Sequence, residues 1–250
     1  MTMSKKNLIA GVVVMSVFVG LFYLFSRRDN EDINKTADTI SQPAVSWQKI
    51  TITETERNMV ININSPRIII YSNYDLESKV NEAITQQIEY SKDWFISGVI
   101  TAAEDNGETN ILNIETEVLI ATPRLISLAF TSTEDLAGIN NDDPKRTFMV
   151  FDLVNNKMMI EGNEMFRDDL AWSDAVTIMK KTILADYQGD PNCDLFFAPK
   201  SNGFATSCIG VDYSRGGSRL HLTKDIPISA IQEFLAPSVL SDVLQNLTPL

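Results

Sequence analysis

Apolar residues fall into three patterns along this chain: one unbroken run near the start, several alternating stretches, and two stretches with a spacing of three and four. The unbroken run is NLIAGVVVMSVFVGLFYLF, residues 7–25, with no charge between Lys6 and Arg27. At about 1.5 Å of helical rise per residue it spans just under the roughly 30 Å hydrocarbon core of a bilayer. A cleaved export signal has a shorter apolar core of about 7–15 residues and a small-x-small cleavage site. Here the run ends in Phe22-Tyr23-Leu24-Phe25-Ser26-Arg27-Arg28, aromatic rings followed by guanidinium groups, as a membrane–water boundary favours. The pattern predicts a six-residue tail (1–6) and a single transmembrane helix over 7–25. Positive charge is nearly balanced across it, with Lys5 and Lys6 on one side and Arg27, Arg28 and Lys35 on the other.

Residues 26–46, SRRDNEDINKTADTISQPAVS, are polar and show no apolar period, which predicts a flexible linker. As a coil it would reach on the order of 25 Å. The remaining residues, 47–250, are long enough to bury one sizeable core. Trp47–Glu54 alternates, and Met59–Ile63 and Arg67–Tyr71 continue the β-branched character on either side of Ser65-Pro66, where a break is expected. Leu76, Val80, Ala83, Ile84, Ile88, Phe95 and Val99 then recur at helical spacing, with Asn73 or Asp75 available as the amino-terminal cap. Three strands follow, in ETNILNIETEVLIA, PRLISLAFTS and RTFMVFDL, and Asn155-Asn156 fits a tight turn before Lys157–Ile160. A second helix places Leu170, Trp172, Ala175, Val176, Met179 and Ile183 on one side. DLFFAP, GFATSCIGV and SRLHL read as further strands, and Ile228–Leu235 and Ser238–Leu247 as short helices around Pro237. Runs of strands between few helices predict an α+β domain: a mainly antiparallel sheet packed against one long and several short helices.

Charge narrows the partners. Lys+Arg number 21 against 33 Asp+Glu, a net −12. Residues 1–28 hold four basic and no acidic residues, so the rest carries 17 against 33, or −16. That surface repels nucleic acid and does not lie flat on anionic lipid. It disperses a soluble domain and leaves a cationic partner open.

Residue inventory weighs against catalysis. The single histidine, His221, cannot supply the ligand set of a metal-dependent deacetylase. In RLHLT it alternates with Leu220 and Leu222, which predicts a solvated strand face. No Gly-x-Ser-x-Gly elbow or phosphate-cradling glycine loop occurs, and Gly216-Gly217 reads as a turn. Of the adjacent acidic pairs, Asp142-Asp143 reads as loop solvation and Asp168-Asp169 as favourable charge at a helix start. No catalytic, cofactor or metal residues are therefore expected.

Cys193 and Cys208 bracket a hairpin, CDLFFAPKSNGFATSC, with two possible registers. A two-residue turn at Asn202-Gly203 sets Cys193 opposite Asp212, about 13 Å from the partner of Cys208, too far to bridge. A four-residue loop Pro199–Asn202 sets Cys193 opposite Cys208. The second makes Cys193–Cys208 the candidate disulfide, in keeping with an oxidising compartment; two buried, reduced thiols are the alternative.

The helix NEAITQQIEYSKDWF, the strands ETEVLIATPRLISLAFTS, the segment TFMVFDLVNNKMMIEGNEMF and the run GFATSCIGVDYSRGGSRLHLTKDIPISAIQEFL together resemble a bacterial extracytoplasmic domain. It is the domain shared by the lysozyme-sensing anti-sigma factor RsiV and, ahead of its catalytic part, the membrane-anchored peptidoglycan deacetylase PdaC. The likeness runs over about residues 58–245. Where that family commonly has Gly-Ala-His this chain has Ala137-Gly138-Ile139-Asn140-Asn141-Asp142, and only six residues precede the apolar run, too few for a sigma-binding region. The resemblance implies a single-pass cell-membrane protein whose large domain, outside the cytoplasm, binds or senses a cell-wall glycan or a cationic protein without catalysis. The competing expectation is a cell-wall hydrolase using acidic residues.

Overall fold

The structure, a computed structural model, describes residues 41–56, 58–102, 109–136, 144–159, 162–189 and 191–245. The expected transmembrane run and most of the linker lie outside them. Among the described residues no helix is long and apolar enough to cross a membrane.

Strand β1 (Ala44–Glu54) pairs antiparallel with β2 (Met59–Ile69), and helix α1 (Tyr74–Ala102) then carries the chain over to β3 (Asn110–Ala121), which pairs parallel with β2. From there β4 (Leu125–Asp135), β5 (Lys145–Asp152) and the two-residue β6 (Lys157–Met158) add antiparallel, so the six strands lie in chain order. Helix α2 (Asp169–Ile183) leads to a second, three-stranded antiparallel sheet, β7 (Pro191–Lys200), β8 (Gly203–Asp212) and β9 (Ser218–Pro227), and α3 (Pro237–Gln245) closes the described chain. The class is the expected α+β, mainly antiparallel, with one parallel pair that the α1 crossover makes necessary.

Both faces of the large sheet are buried around β4, whose first six residues are all buried. One face, with Ile61, Ile63, Leu112, Ile114, Leu128 and Phe151, packs on Val80, Ile84, Ile88 and Phe95 of α1. The other, with Leu119, Ile120, Ala129 and Val150, forms a second core with Phe197, Phe204 and Ile226 of the small sheet, Met179 of α2 and Val243 of α3. A bulge between Val118 and Ile120 turns Leu119 and Ile120 into that second core.

Ser65-Pro66 does not break β2. The strand keeps its register with β1 throughout, but the buried positions change parity there, from Met59, Ile61, Ile63 and Ser65 to Ile68 and Ile70. Pro66 is tolerated because β3 pairs with β2 only as far as Asn64, so no ladder partner awaits an N–H at residue 66. Asn73 is the cap of α1, its Oδ1 accepting from Leu76 N–H at 3.0 Å. In α2 Asp168 caps by accepting from Ala171 N–H at 2.8 Å, and the buried stripe is Ala171, Ala175, Met179 and Ile183. Leu170, expected inside, lies one position off that stripe and is exposed. Ile228–Leu235 is two short 3-10 turns rather than a helix, interrupted at Ile231, whose φ of −137° and ψ of 1° lie outside the helical range.

The β7–β8 register is neither of the two considered. Ser201-Asn202 forms the turn, with Asn202 at φ +70°, so Lys200 faces Gly203, Cys193 faces Gly210 and Leu195 faces Cys208. The cysteines are therefore diagonal neighbours with Cα atoms 5.5 Å apart, and they are disulfide-bonded. Gly210 makes this possible: a Cβ there would stand 2.0 Å from the Asn192 carbonyl oxygen and 2.6 Å from Cys193 Cα. Ile183 of α2 and Leu220 of β9 cover the bond.

Candidate functional site

The positions singled out in the sequence do not converge. Asp142-Asp143 and the Ala137–Asp142 loop lie outside the described residues. Asp168 is consumed in capping α2, and Gly216-Gly217 forms a turn with φ of +69° and +79°. The bonded Cys193–Cys208 pair lies in a small apolar cluster. Three other places carry polar side chains in arrangements that chemistry could use.

The first is the margin where α1 crosses β2. Beyond Asn64, no described strand pairs with β2 on the side away from β1, and side chains from α1 take that place. Asn81 Oδ1 accepts from Ile68 N–H at 2.9 Å, and Asn81 Nδ2 donates to Ile68 O at 2.7 Å and to Glu77 O at 2.8 Å. Glu77 Oε2 accepts from Ile70 N–H at 3.0 Å, and its other oxygen stands 3.5 Å from the Arg67 guanidinium. The edge is thus hydrogen-bonded without a strand. An open groove of about 440 Å³ runs beside it, with Gln48, Tyr74, Glu82, Thr85 and Ile88 among its lining. β1 exposes Ile50 and Ile52, in phase with Gln48 of the groove, at 46 and 37 %, and Trp47, out of phase with them, at 50 %. The groove offers amides, hydroxyls, carboxylates and apolar patches: the means of binding, with no nucleophile paired to a base.

The second is Asp242 of α3, 3 % exposed beneath the β3–β4 turn. Its carboxylate accepts from Thr122 Oγ1 at 3.2 Å and faces Arg124 Nε at 3.5 Å. Burial pushes its pKa above the ordinary value, against the pull of Thr122 and Arg124, and the nearby Asp152 carboxylate adds to the rise. Asp152 itself is committed, accepting from the N–H groups of Val154 and Asn155 at 2.9 and 3.0 Å and from Asn155 Nδ2. The pair fastens α3 and the β5–β6 turn to one end of the large sheet.

The third is His221, which is not on a solvated face. It is half-buried between the two sheets: Nε2 accepts from Arg146 N–H of β5 at 3.2 Å and lies 2.7 Å from Ser207 Oγ. Accepting that backbone hydrogen bond requires the neutral ring with its proton on Nδ1. Alternation along β9 was a sound guide to which side of the small sheet His221 takes, but not to the large sheet that covers that side. A serine hydroxyl against a histidine suggests nucleophilic chemistry, yet Ser207 is wholly buried, so a substrate carbonyl has no approach. Asp212 is likewise interior, its carboxylate accepting from the N–H and hydroxyl of Ser214 at 2.9 and 2.7 Å and from the Tyr187 hydroxyl. Among the described residues no group of three or more His, Cys, Asp or Glu side chains is placed to hold a metal ion.

None of Asn81, Glu77 and Asp242 was visible as a site in the sequence. The available signals were a polar residue at helical spacing against the apolar stripe, Asn81 one turn before Thr85, and an acid inside the apolar run SVLSDVLQ.

No protein-family model matches the chain, and no curated protein does. Solved structures do. A crystal structure of a DUF3298-family member from Bacteroides fragilis superposes with a TM-score of 0.50 at 14 % identity, over 84 % of this chain and 99 % of that one. A DUF3298-family protein from Pseudomonas aeruginosa gives 0.48 at 13 %, over 81 % and 97 %. At these identities the likeness is one of architecture: the chain shares the fold of a solved bacterial DUF3298-family domain.

Proposed function

We propose that this is a membrane-anchored protein whose domain, outside the cytoplasm, binds or senses a cell-envelope component or an extracellular protein and performs no catalysis. The observation that carries this is the joining of an apolar run long enough for a bilayer (7–25) to a disulfide-bearing domain, since such bonds persist in oxidising spaces. The net −16 beyond residue 28 favours cationic partners, a basic protein of lysozyme type among them, and the polar groove beside α1 suits a wall glycan. The likeness to the RsiV and PdaC extracytoplasmic domain belongs to the same proposal. The tagged chain, presented to wall fragments and to basic proteins, is expected to retain one of them in a salt-dependent manner; retention of neither class contradicts the proposal.

A further inference from the structure

Sheet edges in soluble domains are blunted, by shortness, proline or charge, because their unpaired N–H and C=O groups recruit other strands. Among the described residues, three of the four sheet edges obey. β6 is two residues long, β7 has Pro191 and Pro199 near its ends, and β9 carries Arg219, Lys224 and Asp225. β1 does not. It runs 11 residues, AVSWQKITITE, with no proline, no bulge against β2 and only Lys49 and Glu54 charged, and it exposes Trp47, Ile50 and Ile52. In a chain of net −12 it is a locally neutral strand.

The backbone settles which groups it offers. In β2 the N–H groups of Ile68 and Ile70 point away from β1, to Asn81 and Glu77. Alternation then turns the odd-numbered residues of β2 toward β1, and the register (Ile63 to Ile50, Ile61 to Ile52) turns the even-numbered residues of β1 toward β2. Trp47, Lys49, Thr51 and Thr53 therefore direct their backbone N–H and C=O outward.

We infer that β1 pairs antiparallel with β1 of a second copy of the chain, about a twofold axis through Thr51. With that centre Thr51 faces Thr51 and Lys49 faces Thr53, each as a hydrogen-bonded pair of outward residues. Ile50 faces Ile52 twice, in the closer non-hydrogen-bonded positions. No like charges meet. Centring on Lys49 would overlap the whole strand but set lysine against lysine, and centring on Ile50 would oppose Ile52 with Gln48. An axis normal to the sheet keeps both α1 helices on one side, so the four isoleucines become the floor of a cleft between them.

Cysteine cross-linking of the full-length chain in the producing cells tests this, since the native cysteines are already bonded to each other. Facing hydrogen-bonded residues lie about 5.5 Å apart at Cα, within disulfide reach, whereas Lys49 and its symmetry mate would be about 13 Å apart. Thr51→Cys is expected to give a disulfide-linked dimer. Lys49→Cys and Thr53→Cys are each expected to stay monomeric alone, yet to cross-link when differently tagged copies are co-produced, at least tenfold above either alone. Equal cross-linking by all three variants, none by Thr51→Cys, or none by the mixed pair overturns the inference. Sedimentation of the purified full chain in detergent gives the second readout. Wild type is expected to be dimeric and Ile50→Lys monomeric, with an unchanged circular dichroism spectrum. A monomeric wild type, or a dimer that survives Ile50→Lys, overturns it equally.

Discussion

Asn81→Ala removes one amide that stands in for an entire strand. Its two bonds to Ile68, at 2.9 and 2.7 Å, satisfy the N–H and C=O of a residue that is 0 % exposed, and a third at 2.8 Å reaches Glu77 O within α1. A buried backbone group left without a partner costs about 1–3 kcal/mol. Water entering from the open groove beside Asn81 recovers part of that for the two Ile68 groups. The expected loss is about 2–4 kcal/mol, a fall in Tm of about 4–16 °C at the 2–4 °C per kcal/mol typical of a domain this size. Asn81→Asp keeps the acceptor for Ile68 N–H, loses both donated bonds and sets a negative charge against two carbonyls. It is expected to be no more stable than Asn81→Ala near neutral pH. Thermal unfolding by circular dichroism gives the loss, and hydrogen exchange at the Ile68 amide gives its location. An unchanged Tm, or a slow Ile68 amide in Asn81→Ala, would refute the claim that α1 closes this edge.

Replacing both Cys193 and Cys208 by Ser is expected to cost about 3 kcal/mol, as opening a loop of this length does, because the bond joins residues 15 apart; unfolding with and without reductant measures the same quantity in wild type. Gly210→Ala would press a Cβ to 2.0 Å from the Asn192 carbonyl oxygen, so β7 and β8 must separate. A loss of about 3 kcal/mol or more in chemical denaturation is expected, and a variant as stable as wild type would show that the strands do not approach so closely. Asp242 holds its proton more tightly folded than unfolded, so its contribution to stability falls as pH rises from the ordinary carboxylate range through the raised value. Asp242→Asn, which can still accept from Thr122, is expected to remove that slope from a plot of Tm against pH without loss at neutral pH. An unaltered slope would place the Asp242 carboxyl at its ordinary value.

The α+β class and most elements could be read from pattern: α1 buries one face at three and four, β2 up to Ser65 and β3 from Leu112 to Glu117 alternate, and β4, buried along its first six residues, stands out as a nearly continuous apolar run. Elsewhere pattern alone was insufficient. His221 alternates as a surface residue does, yet the large sheet covers it. Ser65-Pro66 looked like the end of a strand because proline removes a donor, but β3 has already parted from β2 at that point, so the donor is not needed. The hairpin register depended on whether Ser201-Asn202, Asn202-Gly203 or a longer loop turned the chain; Asn202 takes the left-handed conformation that would more commonly fall to glycine. Gly203 instead serves close packing, since a Cβ there would stand 2.0 Å from the Ile226 carbonyl oxygen. Asn81 and Asp242 act on partners 13 and 120 residues away, so the local pattern marks each as a polar residue in apolar surroundings but does not name its partner.

Protease added to intact cells that produce the full chain bears most directly on the proposal that residues 7–25 hold the folded domain outside the cytoplasm. The domain is expected to be cut away from the membrane fraction while a cytoplasmic marker stays whole, and the released piece to retain its Cys193–Cys208 bond on a non-reducing gel. A domain protected until the cells are lysed, carrying two free thiols, would contradict it.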